Sequence, residues 1–391
     1  MKHREYDVIV IGAGPGGSVT ARNLARLGHQ VLLIEKRERI GYPVRCGEAS
    51  TKLDSLEQEY GPIDPVCIET VLNGLYVYGP DGINLDAKMP KVGVMLNREK
   101  FDPWLAQLAQ TDGAEVVVNA RAESVGDDDG QFRSVSIVTP QGKEIVRARM
   151  VVSAEGVEAR IPRLLGIEAI QKPGTTCTGV DIQVEGILTR PDYLTFWQGH
   201  DFINDGYIWS FPKQKSNVTN FGAGILVSSV RGRDIQTEAL EWLQKLFPGA
   251  KVLSVVGGLV PVSGNLEKCV LNRFLVVGDA AHHTNPLTGG GIASAMRGGQ
   301  IAADVIHQGL VNGDLSEKFL HGYETRCFER FGKEHRTIMK FRRFLLGQRR
   351  PDQIVLYKLI KAFLDNGQSP LAFLKKPRTT LRFIWKYLLF R

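Results

Sequence analysis

The chain has 391 residues, 43% hydrophobic and 23% charged, with 49 Lys/Arg against 42 Asp/Glu for a net charge of +7. That length supports two or three domains, and the composition speaks against collagenous, disordered and disulfide-scaffold proteins. The five cysteines stand at 46, 67, 177, 269 and 327 with no CxxC pair, which argues against a structural zinc, a clustered iron–sulfur site and secretion, and for a reducing, cytoplasmic setting.

The opening "MKHREYDVIVIGAGPGG" couples charge to an apolar run, but the run is short and ends in a glycine turn, unlike a signal peptide. No stretch reaches the ~18 apolar residues that span a bilayer. "YDVIVIG" (6–12) reads as a buried parallel strand, "SVTARNLARLG" (18–28) as a helix stopped by Gly28, and "QVLLIEK" (30–36) as the next strand. "AEVVVNA" (114–120), "ARMVVSAEG" (148–156) and "RFLVVGDAA" (273–281) supply further strands of the same type. Between them the texture changes. "LYVYGPDGINLDAK" (75–88) predicts a hairpin turning at Pro-Asp-Gly, and residues 176–228 carry runs rich in β-branched and aromatic residues. From "GGGIASAMRGGQIAADVIHQGL" (289–310) onward the pattern is helical.

The expected fold is α/β: a discontinuous Rossmann-like domain (1–73, 98–170, 268–330), an inserted antiparallel β-rich substrate domain (74–97, 171–267) and a basic helical C-terminal region (331–391).

Gly12, Gly14 and Gly17 form GxGxxG between strand and helix. The first glycine permits the turn, the second lets backbone approach a pyrophosphate, and the third lets helix pack on strand. Glu35, ending the second strand, is placed to accept from ribose hydroxyls. A second glycine-rich stretch, "FLVVGDAAHHTNPLTGGGIASAM" (274–296), puts Asp279 at a strand end and opens a helix after Gly290. A dinucleotide held from both ends, with a helix N-terminus facing a ring that turns negative on reduction, is a flavin dinucleotide.

At these residues the chain resembles the FAD-dependent hydroxylase superfold and, within it, the geranylgeranyl reductase family. The resemblance is carried by "GAGPGGSVTARNLA", "IEKRERIGYPVRCGEAS", "GYIWSFPK" and "GDAAHHTNPLTGGGI" over roughly residues 5–300. It implies FAD contacts from Gly14, Glu35, Arg98, Ala122, Asp279, Gly291 and Ile292, and it places Cys46, Gly47 and Ala49 in a loop beside the isoalloxazine. Two features depart from the family pattern: Glu155-Gly156 stands where Asp-Gly is usual, and nine residues separate Pro212 from Gly222.

Alternation along "YIWSFP" sets Tyr207, Trp209 and Phe211 on one strand face. The resemblance makes that face a prenyl tunnel, and reduction of polyprenyl C=C bonds by reduced FAD the expected reaction. An isolated alkene is poorly electrophilic, so a general acid is needed; Cys46, Tyr207, His282 and a bound water are the candidates. The electron donor stays open among pyridine nucleotide, ferredoxin and a quinol-linked carrier, because only one GxGxxG is well placed. No metal site is expected. A flavin monooxygenase or halogenase of the same superfold is the first alternative, although "YIWSFP" departs from the halogenase WxWxIP pattern. A non-enzymatic isoprenoid carrier is the second.

Charge is concentrated at the C-terminus. From Arg336 onward 14 Lys/Arg face only Asp352 and Asp365. In "RTTLRFIWKYLLFR" (378–391) Arg378, Arg382 and Lys386 fall on one helical stripe among aromatic residues, which suits peripheral contact with an anionic membrane rather than nucleic acid. A terminal helix packed on the protein's own core is the competing expectation.

Overall fold

The computed structural model describes residues 1–346 and 348–365, so the stripe of Arg378, Arg382 and Lys386 lies outside the described residues. The chain divides into two compact units. The first comprises Met1–Val44, Arg98–Thr176 and Val260–Met339; the second comprises Arg45–Asn97, Cys177–Leu259 and the described residues from Lys340 on.

In the first unit Phe274–Val276, Gly142–Ser153, Glu5–Ile11, Val31–Ile34 and Glu115–Val117 run parallel in that order. Val8, Ile9, Val10, Leu32, Leu33 and Ile34 are all fully buried. These strands lack polar alternation because helices cover both faces of such a sheet. The first helix spans Pro15–Arg26, starting three residues before the apolar spacing becomes visible. Pro15 explains the early start: its fixed φ suits the first helical turn, where its missing N–H costs nothing. This helix packs closely on Ile292–Asn312, where a Cβ on Gly299 would stand 2.4 Å from the Gly16 carbonyl oxygen.

The second unit is built on an eight-stranded sheet in the order Val252–Pro261, Thr176–Glu185, Val218–Leu226, Gly206–Lys213, Tyr193–Gln198, Ile68–Tyr78, Asn84–Leu96, Ala49–Ser50. From Thr176–Glu185 to Ala49–Ser50 the neighbours are antiparallel, except that Tyr193–Gln198 runs parallel to Ile68–Tyr78. The hairpin read from "LYVYGPDGINLDAK" is present, with its turn at Pro80–Gly82. One face of the sheet, with Ile182, Trp197, Ile208 and Phe221, packs against the helix Ile235–Leu246. The other carries Leu72, Met95, Trp209 and Phe211.

Residues 45–73, which the sequence groups with the nucleotide-binding domain, fall in the second unit. Backbone pairing is the reason: Ala49 pairs with Met95 and Val71 with Val94, adding this segment to the second sheet. The C-terminal region is helical over Lys333–Leu345 and Arg350–Asp365 and divides at Met339.

Candidate functional site

The glycine-rich turn of the first unit is shaped by two close approaches. Gly12 has φ +104° and a Cβ there would lie 2.3 Å from the Ala154 oxygen; a Cβ on Gly17 would lie 1.9 Å from the Gly12 oxygen. Gly14 differs, because nothing lies within 4 Å of where its Cβ would stand. It caps the Pro15–Arg26 helix without a side-chain hydrogen bond, and the first turn carries no acid. The helix N-terminus therefore has open space at Gly14 and no acid in its first turn, as a pyrophosphate requires.

Glu35 stands beside this turn. Its Oε2 accepts the Ala13 N–H at 3.1 Å and its Oε1 the Arg37 N–H at 3.0 Å, which fixes the carboxylate and leaves a lone pair on each oxygen for a hydroxyl. Ala122 is buried, and its carbonyl accepts from Arg160 at 3.0 Å.

At the same carboxyl end of the sheet, two strands away, Asp279 follows the strand Phe274–Val276 in a turn over Gly278–Ala281. Burial pushes its carboxyl up from the usual carboxylate range, and the Arg98 guanidinium opposes that rise. Arg98 opens the helix Arg98–Thr111 and is held by Asp102, with Nε to Oδ1 at 3.0 Å. A Cβ on Gly291 would come within 2.9 Å of Asp279 Oδ1, so the carboxylate stands against the N-terminus of Ile292–Asn312, where Gly291 caps without a side chain. Two bare helix N-termini, one fixed acid beside each, and a glycine cradle that a Cβ would fill at Gly14 fit a dinucleotide carrying a flavin.

Glu155 explains its own departure from the family pattern. Its carboxylate turns back to accept from Ser153 Oγ at 2.8 Å and from the Ile161 N–H at 3.0 Å, capping the short helix Arg160–Leu164. His282 is 4% exposed, with Nδ1 2.6 Å from Ser263 Oγ and Nε2 3.4 Å from Gln171 Nε2. Burial, aided by Lys172, lowers its pKa to about 4. The ring is thus neutral at pH 7, an unpromising state for delivering a proton.

The second unit gathers the remaining candidates. Tyr207, Trp209 and Phe211 share one face as the alternation requires. Tyr207 and Phe196 meet edge to face at 5.6 Å, and Tyr207 and Trp209 at 5.8 Å. The Trp209 indole lies over glycine: its ring would be 2.2 Å from a Cβ on Gly222 and 3.7 Å from one on Gly179. The Cys46 loop seats on this face, since a Cβ on Gly47 would lie 3.1 Å from Phe211 and 3.8 Å from Trp209 Nε1. Cys46 is half-buried, and its Sγ accepts the Glu48 N–H at 3.2 Å. Burial raises the Tyr207 hydroxyl above the usual phenol range, with Cys177, Asp181 and Cys46 reinforcing and Arg342 opposing.

A buried network beneath the loop is absent from the sequence reading. Trp209 Nε1 donates to Asn220 Oδ1 at 2.9 Å, and Asn220 Nδ2 donates to the Cys46 carbonyl at 2.9 Å. Glu48, with φ +63°, accepts from Lys213 Nζ at 2.8 Å and lies 3.3 Å from Asn220 Nδ2. Glu48 and Lys213 both stand in segments that carry the family resemblance, yet their pairing depends on strand register. Among the described residues no group of three His, Cys, Asp or Glu could hold a metal, and no helix is long and apolar enough to cross a membrane.

Known proteins agree with this arrangement. A family profile described as an FAD binding domain matches residues 5–205, and one described as a geranylgeranyl reductase catalytic domain matches residues 176–260. The digeranylgeranylglycerophospholipid reductase of Methanocella arvoryzae is 38% identical over 84% of this chain and 84% of its own. That of Methanosarcina acetivorans is 38% identical over 84% of this chain and 82% of its own. Among solved structures, a geranylgeranyl bacteriochlorophyll reductase-like protein of Thermoplasma acidophilum superposes with a TM-score of 0.84 at 32% identity, covering 91% of this chain and 90% of that one. A flavin-dependent halogenase, 20% identical with a TM-score of 0.70 over 93% of this chain and 72% of its own, shares the fold alone. The chain is an FAD-dependent oxidoreductase and belongs to the geranylgeranyl reductase family.

Proposed function

We propose that the protein saturates C=C bonds in the geranylgeranyl chains of a membrane lipid, the reaction named for its relatives. The observation that carries this reading is the apolar row Tyr207–Trp209–Phe211 with the Cys46 loop seated on it. When bound, reduced FAD supplies the hydride. The residues of the cradle hold the cofactor: Gly12, Gly14 and Gly17 at the pyrophosphate, Glu35 at the ribose, and Arg98, Asp279, Gly291 and Ile292 toward the ring, with Ala122 near the adenine.

The aromatic row receives the prenyl chain. Its π-faces exclude water and stabilise the positive charge that builds on the alkene as a proton arrives. Cys46 is the preferred donor of that proton. Its Sγ accepts the Glu48 N–H, which stabilises sulfur once the proton has gone. Tyr207 is a weaker acid in its buried setting, and His282 is neutral. Gly47 and Ala49 fix the loop, Gly47 by admitting Phe211 and Ala49 by pairing with Met95.

Each reduced bond consumes two electrons, so an external carrier, whether pyridine nucleotide, ferredoxin or another, must reload the flavin. Contact with the membrane that holds the lipid falls by charge to the basic C-terminal region. The test is spectral: protein reduced and bleached under anaerobic conditions regains its yellow colour when a geranylgeranyl glycerophospholipid is added, and stays bleached with the saturated phytanyl analogue. Equal reoxidation by both lipids contradicts the reading.

A further inference from the structure

A second hollow lies on the face of the second unit's sheet opposite Trp209. Residues alternate along Tyr193–Gln198, so Leu194 and Phe196 share the Trp209 side while Thr195 and Trp197 point to the other. Strand register then sets Tyr76, Thr195 and Ser210 side by side. The loop 186–191 crosses above them. Thr219 ties it down, its hydroxyl accepting the Leu188 N–H at 3.1 Å and donating to the Gly186 carbonyl at 2.7 Å.

Between loop and sheet is a cavity of about 290 Å³, walled by Tyr76, Tyr78, Leu188, Trp197 and Phe247. Tyr78 stacks on Trp197 at 5.1 Å, and Phe247 stands edge-on to Trp197 at 5.9 Å. The volume falls just below that of small-molecule sites, roughly 300–1,000 Å³, so it holds part of a ligand. Thr195 lines this cavity at 2% exposure, and its hydroxyl has no hydrogen-bond partner among the described residues. Neighbouring Ser210 shows the contrast, its hydroxyl lying 3.1 Å from that of Thr189. Burying an unpaired hydroxyl is costly, so one carried by a residue that lines an aromatic cavity marks a place for a ligand's polar atom.

The cavity shares Tyr76 and Arg190 with a groove of about 680 Å³. Lys358, Lys361 and Arg190 line that groove with Asp86 and Asp365. Arg190 stacks over Tyr76 at 4.5 Å and pairs with Asp86 at 2.7 Å, and Lys361 pairs with Asp365 at 3.0 Å. Lys358 is exposed and makes no ion pair among the described residues. An aromatic cavity opening beside a net-cationic groove has the polarity of an amphiphile with an anionic head.

We propose that the two hollows form an accessory site for a prenyl phosphate. Its chain lies between Leu188 and the Tyr78–Trp197 pair, its first oxygen accepts from Thr195, and its phosphate meets Lys358 and Arg190. The choice of a prenyl body rests on the proposed reduction of prenyl chains; the cavity and its hydroxyl do not.

The test is isothermal titration of the FAD-loaded full chain with geranyl monophosphate, alongside geraniol and inorganic phosphate, for the parent, Leu188→Trp, Thr195→Val and Lys358→Gln. The parent shows a saturable site that Leu188→Trp abolishes and that Thr195→Val weakens about fivefold, the loss of one hydrogen bond. Lys358→Gln weakens geranyl monophosphate but not geraniol. Lipid reduction is unchanged in all three variants. Thr195→Val nearly preserves shape, so it stands as the deciding variant should Leu188→Trp fold poorly. Titrations of Thr195→Val that superpose on the parent overturn the inference, as does full competition by inorganic phosphate or a parallel loss of lipid reduction. If the parent reduces no lipid yet shows this binding pattern, the reductase reading fails and the site stands.

Discussion

Lys213 Nζ lies 2.8 Å from Glu48 Oε2, with side-chain exposures of only 10% and 0%. Asn220 joins them by reaching both Glu48 and the Cys46 carbonyl, so a buried ion pair anchors the loop that presents the cysteine. Removing one partner strands a charge away from water. Lys213→Met should therefore cost about 3–5 kcal/mol. Lys213→Met combined with Glu48→Gln should recover much of that loss, because no uncompensated charge remains. Denaturant unfolding of the four proteins in this cycle checks it; additive losses would mean that the two side chains do not act as a pair.

Asn220→Ala removes the acceptor of the Trp209 N–H and a donor to the Cys46 carbonyl together. Leaving such buried groups unpaired costs about 1–3 kcal/mol each. The loop then loses its anchor, and the turnover number should fall more than the loss of folded protein explains. Single-turnover rates, normalised to flavin content, measure this. A variant with the parent rate would show that the Cys46 loop holds its position without Asn220.

The glycines of the fingerprint should fail in different ways. A methyl at Gly17 meets the Gly12 oxygen at 1.9 Å, so Gly17→Ala must distort the turn, an overpacking cost of about 1–3 kcal/mol or more. Gly14 has open space around its Cβ position, so Gly14→Ala should melt like the parent apoprotein. Its methyl stands where the pyrophosphate must approach, so it should bind FAD at least about tenfold more weakly. Melting curves with and without added FAD separate the two outcomes; equal FAD affinity in Gly14→Ala and the parent would displace the cofactor from this turn.

Three buried histidines set an acid limit. Burial lowers His282 and His335 to about 4 and His283 to about 3. The unfolded chain binds these protons near pH 6.5, so stability is complete above that pH and is lost as pH falls toward 4. Such shifts are worth roughly 3 kcal/mol each for His282 and His335 and roughly 5 kcal/mol for His283. Asp279 and Glu155 are raised by burial and act in the opposite sense, favouring the folded state as they protonate. The histidines prevail, so unfolding midpoints should drop between pH 6.5 and 4.5, and His335→Gln should flatten that slope. A midpoint that rises on acidification would contradict this assignment.

What the sequence makes legible is local. The strand–turn–helix around Gly12, Gly14 and Gly17 is contiguous, and strand alternation alone puts Tyr207, Trp209 and Phe211 together. What it hides depends on register between distant segments. Glu48, Lys213 and Asn220 come from a loop and two strands, and nothing in their spacing announces a buried network. The same holds for residues 45–73, whose unit is decided by the pairing of Ala49 with Met95. The Thr195 hydroxyl is one polar atom in an apolar run until Tyr76 and Ser210 are set beside it.

The mass of the lipid product tests the central claim most directly. Holoprotein reduced with dithionite and mixed anaerobically with a geranylgeranyl glycerophospholipid should yield product heavier by two hydrogens for each bond reduced, with Cys46→Ser much slower. A product that forms only in air and carries added oxygen or halogen, or lipid recovered unchanged beside fully reduced flavin, would contradict the account.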